Sequence, residues 1–374
     1  MINNKWMIGI TVAGVLFAGI ATAEETVDPS IYDKIWNYVE VVDNDDAAVL
    51  QSLAFTGRLQ GDAANFNLND HGDFEDFLWR RFRVGAKAKL FNDFTVHGEA
   101  DLNLNELGSE NIYSRLTDAY IGWSPNKEFK LKVGKQSAGF TLGGATSSKK
   151  LLTLERSIVA GNLWFTTEYF TGVSGSGTVD GWDYKLGGFS SSGDDEFGDF
   201  DSGWFSLASI GHAVTENSDL RFDYVHNDPD YSGDVGTKKL TDIVSVVTKS
   251  QWDQLGLWTD LSYARGDDSQ GQSDLVGLEL MPFWDFNERW QGVFRYSMVH
   301  STDGPGAGLG RYPKKNLSSS KYEDVHDFFL GVNCFLYGHK LKWQTGVEYN
   351  LVQNDSSGDD YNGWGITSGF RLSW

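Results

Sequence analysis

From about residue 50 to its end, this 374-residue chain alternates apolar and polar positions in short trains separated by turn residues. In the last train Ile366, Ser368, Phe370, Leu372 and Trp374 share one parity, while Thr367, Gly369, Arg371 and Ser373 share the other. A period of two puts successive side chains on opposite faces of a strand, so each train predicts a strand with one apolar face. Sixteen trains run roughly over 50–60, 77–90, 94–105, 114–124, 128–138, 164–173, 181–191, 203–213, 219–228, 240–249, 254–266, 273–285, 289–301, 325–337, 340–353 and 363–374. Short breaks at Asn92 and Asp93, Pro125 to Lys127, Asn287 with Glu288, and Gly338 with His339 contrast with long ones at 61–76, 138–163, 228–239 and 302–324.

An even strand number with alternating short and long connections is the pattern of a bacterial outer-membrane barrel, whose periplasmic turns are short and extracellular loops long. The expected fold is therefore all-β, a transmembrane antiparallel β-barrel of about sixteen strands over residues 50–374. Two stacked soluble sheets would show the same alternation, but sixteen strands in one chain close more readily than they stack. Beyond the first 23 residues no stretch approaches the ~18 apolar residues of a transmembrane helix. Clear lipid faces include Trp290, Phe294, Tyr296 and Met298, and Leu341, Trp343, Val347, Tyr349 and Leu351. The last strand, ending on Trp374, is expected to close on the segment near Leu53 to Leu59.

The first residues point to the same compartment. Lys5, the apolar stretch Trp6 to Ile20 and the small residues Ala21, Thr22 and Ala23 predict a secretory signal peptide over 1–23 with Glu24 as the first mature residue. Residues 24–49 precede the first strand and differ in kind. Asp28, Pro29 and Ser30 start a short helix carrying Ile31, Ile35, Tyr38 and Val39, which either caps the periplasmic mouth or joins a subunit contact; the alternative is an irregular acidic leader. Cys334, the single cysteine, excludes an intramolecular disulfide and shares parity with Phe328, Leu330, Val332 and Leu336 on the lipid face.

The formal charge of -21 argues against nucleic acid as a partner, but the acidic residues concentrate in breaks such as Asp194, Asp195, Glu196, Asp199 and Asp201. The inward faces read differently. In the second train Arg81, Arg83, Lys87 and Lys89 share one parity, and the next train turns His97, Glu99, Asp101 and Asn103 inward. Keeping both faces in phase requires an odd hairpin loop of three residues near Asn92 and Asp93, which sets Arg83 or Lys87 across from Asp101 or Glu99. These charges either pair across strands or select anions. Lys130, Lys132, Arg221, Arg295, Lys342 and Arg371, set against Asp118, Asp223, Glu279 and Glu348, leave the expected lumen modestly cationic.

Several stretches together resemble the phosphate-selective porin O and P family of Gram-negative outer membranes. They are Thr56-Gly57-Arg58-Leu59-Gln60-Gly61-Asp62, Arg80-Arg81-Phe82-Arg83, Asp118-Ala119-Tyr120-Ile121-Gly122-Trp123, Ala145-Thr146-Ser147-Ser148 and Leu154-Glu155-Arg156-Ser157. The resemblance implies a homotrimer of sixteen-stranded barrels whose third long loop, here 138–163, folds inward to narrow the channel. It also implies that Arg80 and Arg81 are counterparts of an arginine pair in the family's constriction. Parity turns only one of two neighbours inward, so Arg80 is expected at a rim or a local bulge. Lys149, Lys150 and Arg156 are the cations of the inserted loop, and no second dense run of alternating arginines appears.

The expected function is passive diffusion of small hydrophilic solutes and ions, with an anion or phosphate preference, through a channel set in outer-membrane lipid. An adhesin or structural barrel acting through acidic loops is the alternative. An enzyme is not expected: the histidines His71, His97, His212, His226, His300, His326 and His339 are scattered, and no nucleophile elbow occurs. No catalytic residue, metal site or cofactor is assigned, since none of the acidic loops matches a calcium-loop spacing.

Overall fold

The computed structural model describes residues 30–67, 69, 72–106, 112–315, 317, 321–354 and 360–374. The expected signal peptide, the helix-starting Asp28 and Pro29, and His71 lie outside them. A short helix α1 (Ile31–Asn37) and strand β1 (Glu40–Asp43) precede the barrel. The barrel strands are β2 (Leu50–Asn67), β3 (Asp73–Leu90), β4 (Phe94–Leu102), β5 (Tyr113–Trp123), β6 (Lys130–Ser137), β7 (Tyr169–Val179), β8 (Trp182–Ser190) and β9 (Gly203–Thr215). They continue with β10 (Ser218–Pro229), β11 (Leu240–Trp252), β12 (Leu255–Gly266), β13 (Leu275–Asp285), β14 (Trp290–Ser301), β15 (Asp324–Tyr337), β16 (Leu341–Gln353) and β17 (Tyr361–Ser373). Helices α2 (Leu142–Ala145) and α3 (Ile158–Leu163) lie between β6 and β7. Each strand from β2 to β17 pairs antiparallel with the next, and β17 pairs with β2, closing a sixteen-stranded barrel among the described residues.

The closure meets the sequence expectation in part. β17 pairs with Arg58–Asn67, and Trp374 exchanges backbone hydrogen bonds with Gly57, so it overlaps the expected Leu53–Leu59 segment at its end; Leu53 itself takes β1 as its neighbour through Val42. The long break expected at 61–76 is mostly strand, because β2 continues to Asn67 and β3 begins at Asp73. Two features conceal this extension. Gly61, Asp62, Ala63, Ala64 and Asn65 carry little apolar contrast, and the register of β2 against β3 slips between Gln60 and Gly61, so Arg81 and Trp79 have partners while Arg80 does not. Above this bulge the parity reverses: Phe77 faces outward, while Phe74 and Leu78 pack against the interior cluster.

The β3–β4 hairpin follows its expected geometry. Leu90 pairs with Phe94 across a three-residue loop, and Arg83 lies directly opposite Asp101. The helix expected from Ser30 also forms, with a capping box between Ser30 and Asp33. It uses a face the pattern did not mark, since Trp36 is buried while Ile31, Ile35 and Tyr38 are exposed. The Trp36 indole donates to the Ser373 carbonyl at 2.7 Å and meets the Tyr337 ring at 5.0 Å, fastening the leader beneath the seam. Gly57 is required there: a Cβ would stand 2.4 Å from the Trp374 ring.

On the long-loop side, the interior is filled. Phe140, Ile158, Val159, Leu163 and Phe165 from the loop between β6 and β7 join Ala307, Leu309 and Tyr312 from the loop between β14 and β15. They meet inward residues such as Phe66, Leu240, Ile243, Leu275, Val325 and Val352. Two loops therefore narrow the barrel at that end.

Candidate functional site

The loop from 138 to 168 has few backbone partners of its own, so the wall must supply them. Its N-terminal amides take carboxylates: Thr141 N donates to Asp223 at 2.9 Å and Leu142 N to Asp260 at 2.6 Å. Its carbonyls take donors in sequence order. Gln60 reaches Ser148 O at 3.1 Å, Lys342 reaches Leu151 O, Asn333 reaches Leu152 O at 2.8 Å, Arg371 reaches Leu154 O at 3.0 Å and Arg295 reaches Glu155 O at 2.9 Å. The loop is thus stitched across the lumen to β2 and β14–β17. Arg295, Lys342 and Arg371, three of the expected pore-lining cations, are buried in this work, and Asp327 and Asp62 neutralise Arg295 and Arg371.

A second group of cations gathers where the loop passes β2 and β3. The bulge lets consecutive residues enter the lumen together, so Arg80 and Arg81 both reach the loop side of the wall. Arg80 grips Glu155 with two nitrogens, Nη2 lying 3.1 Å from Oε2, and Arg311 Nε approaches Oε1 of the same carboxylate at 3.4 Å. Arg83 lies 3.2 Å from Asp101 and 3.5 Å from Glu168, and Arg156 is 3.7 Å from Glu168. Arg58 pairs with Glu99 at 3.0 Å and donates to Ser148 Oγ at 2.6 Å. Arg81 is different. It is buried and donates to Gln60 Oε1 at 2.9 Å, and among the described residues it forms no direct salt bridge, Glu155 acting on it from beyond contact.

The short-turn half of the lumen carries lysines. Lys87 and Lys132 share the inward register with His97, Tyr120 and Gly122, and Lys132 stands 4.5 Å over the Tyr120 ring. Lys130 lies on the same face of β6. Lys185, Arg221 and Lys249 line a cavity of about 490 Å³ below the inserted loop, shared with Asp183 and Asp219. Arg221 is held by Asp223 at 2.9 Å, whereas Lys87, Lys130, Lys132, Lys185 and Lys249 form no direct salt bridge among the described residues, although Asp118 acts on Lys132, Asp223 on Lys185, and Asp219, opposite on the next strand, on Lys249. Asp118, inward beside Glu99, forms no salt bridge among those residues either. Lys89 is exposed and only 3.9 Å from the exposed Asp45, so it stands at the rim. Lys150 is also exposed, at the tip of the inserted loop. Burial, followed by the nearby Arg58 guanidinium, lowers the Lys149 ammonium to about 8.

Arg115, Lys185, Lys249 and Arg311 are lining residues that the sequence reading does not single out. Lys185 and Lys249 are detectable from parity, each alternating with outward residues on its strand. Arg311 is not, because it arrives on a loop of no periodicity. His97 is 3.2 Å from Thr56 Oγ1 and edge-on to Tyr120, a hydrogen-bonded wall residue.

A closed sixteen-stranded antiparallel barrel with a loop folded into it defines the class: a transmembrane β-barrel with the fold of outer-membrane porins. Residues 53–210 match the family model described as phosphate-selective porin O and P, in agreement with the motif resemblance. No curated protein matches the chain by sequence. Among solved structures, an anion-selective porin from Comamonas acidovorans is 11% identical and superposes with a TM-score of 0.60, over 86% of this chain and 99% of that one. The outer-membrane channel DcaP of Acinetobacter baumannii is 14% identical with a TM-score of 0.57, over 86% and 97% of the two chains. Salmonella typhi OmpF, in complex with daunomycin, is 12% identical with a TM-score of 0.59, over 89% and 100%. At these identities the structures establish the fold alone.

Proposed function

We propose that the protein lets small hydrophilic solutes diffuse passively across the outer membrane and favours anions among them. The observation that carries this reading is the set Lys87, Lys130, Lys132, Lys185 and Lys249, which line the short-turn half of the lumen without a direct salt bridge among the described residues. In a narrow passage with low-dielectric walls, unpaired cations raise the local anion concentration, and no chemistry is required. Arg81 extends this field into the constriction. The other constriction arginines are already paired, which supports a general anion preference over a dedicated phosphate site.

Reconstitution into planar bilayers tests the channel itself: stepwise conductance is expected, and a folded protein that opened no channels would end the reading in favour of a loop-acting barrel. Phosphate added to a chloride current should block it only weakly. Family resemblance supports assembly as a homotrimer, which native mass measurement of the detergent-extracted protein tests. Export with removal of residues 1–23 is checked by sequencing the mature N-terminus.

A further inference from the structure

The constriction contains its own counter-anion. Glu155 lies on the inserted loop, immediately before Arg156, and its backbone is fixed because Arg295 donates to the Glu155 carbonyl at 2.9 Å. Its carboxylate thereby faces β3. Both oxygens meet the Arg80 fork, the side-on geometry an arginine also offers to a phosphate or a solute carboxylate. Arg311 completes the seat from the other loop at 3.4 Å. Arg81, next in sequence, has only Gln60 and therefore adds charge that Glu155 does not fully cancel.

We propose that Glu155 is a selectivity-setting residue: its carboxylate occupies the place between Arg80, Arg81 and Arg311 that an oxyanion in transit would take, and so keeps the channel from binding phosphate tightly. This rests on the channel reading above. Burial by itself would raise the Glu155 carboxyl, but Arg80 and then Arg311 outweigh it and hold the group well below the usual carboxylate range. The counter-anion is therefore charged at neutral pH. An oxyanion can use the seat only by displacing a tethered competitor, and tethering gives that competitor a high effective concentration.

The test compares wild type with Glu155→Gln in planar bilayers, using chloride current and added inorganic phosphate. Glu155→Gln should shift the zero-current potential toward the chloride limit. It should also bring phosphate block to lower concentration by about tenfold, the order expected for one unit charge at ~10 Å and an effective dielectric of ~20. Glu155→Asp, which keeps the charge, should retain wild-type selectivity, and adding Arg81→Gln to Glu155→Gln should weaken the new block. Wild-type selectivity and phosphate response in Glu155→Gln would overturn the proposal. So would an equal change in Glu155→Asp, which would make the residue a latch for loop position only. A wild-type channel that proved cation-selective would count against the parent reading, and is read separately from the effect of the substitution.

Discussion

Lys149 gives the lumen a titratable charge near physiological pH. Its ammonium, lowered to about 8 by burial and by Arg58, donates to the Trp374 backbone oxygen at 2.9 Å and lies beside the constriction. A lowered lysine is charged below that value and neutral above it, so Lys149 gives up its charge as pH rises through about 8. Anion preference should therefore weaken between pH ~7 and ~9, the window in which a group titrating near 8 changes charge. Zero-current potentials across that range measure it. Lys149→Met should flatten the profile, and an unchanged slope in the variant would remove Lys149 as its cause. The same residue shows what is legible at this scale. Sequence marks it as a loop cation, but its proximity to Arg58 depends on how the loop crosses the lumen, which no local pattern encodes.

Two elements outside the regular wall shape the channel. The leader helix α1 fastens the closing seam through Trp36, buried against Tyr337 and bonded to Ser373. Trp36→Ala should lower stability by about 3 kcal/mol, typical for truncating a buried tryptophan, while conductance stays unchanged. Urea unfolding in detergent, followed by circular dichroism, measures the first quantity, and a loss of conductance in folded protein would show that α1 does more than fasten. On the opposite side, the loop between β14 and β15 fills the mouth. Tyr312 donates to Asp62 at 2.7 Å, Lys315 pairs with Asp76 at 2.9 Å, and Gly308 N donates to Asn162 at 2.7 Å. Deleting residues 304–310 should raise single-channel conductance; an unchanged value would place the solute path elsewhere.

The strands themselves are readable because a lipid face and a wet face impose a period of two, which most of the wall keeps intact. The β2–β3 hairpin departs from the expectation because one bulged residue, Arg80, reverses parity midway through β3. That irregularity brings two adjacent arginines into the lumen. A rule based on alternation therefore fails where the site is built. The strand β1, four residues long, is too short to show a period, and its partner is the part of β2 extending beyond β17.

Over the whole molecule the acid divides between lumen and loops. The net charge is -21; Asp118, Asp183, Asp219 and Asp223 share the lumen with its lysines, and Glu99, Asp327 and Asp62 pair with Arg58, Arg295 and Arg371. Further acid lies in exposed loops: Asp194, Asp195, Glu196, Asp199 and Asp201 are exposed, and their loop folds against the wall of β5 and β6, where the carbonyls of Asp194 and Glu196 accept from Lys135 and Asp195 O accepts from Leu116 N. An acidic exterior disfavours non-specific contacts, while the interior field acts only on what enters. In a channel filled with electrolyte such a field is screened by salt over about 10 Å at 0.1 M. Anion preference should therefore decline as ionic strength rises. The zero-current potential of the purified wild-type channel across a potassium chloride gradient at low salt tests the central claim most directly. A potential displaced toward the chloride equilibrium value is expected, and one displaced toward the potassium value would contradict an anion-favouring lumen.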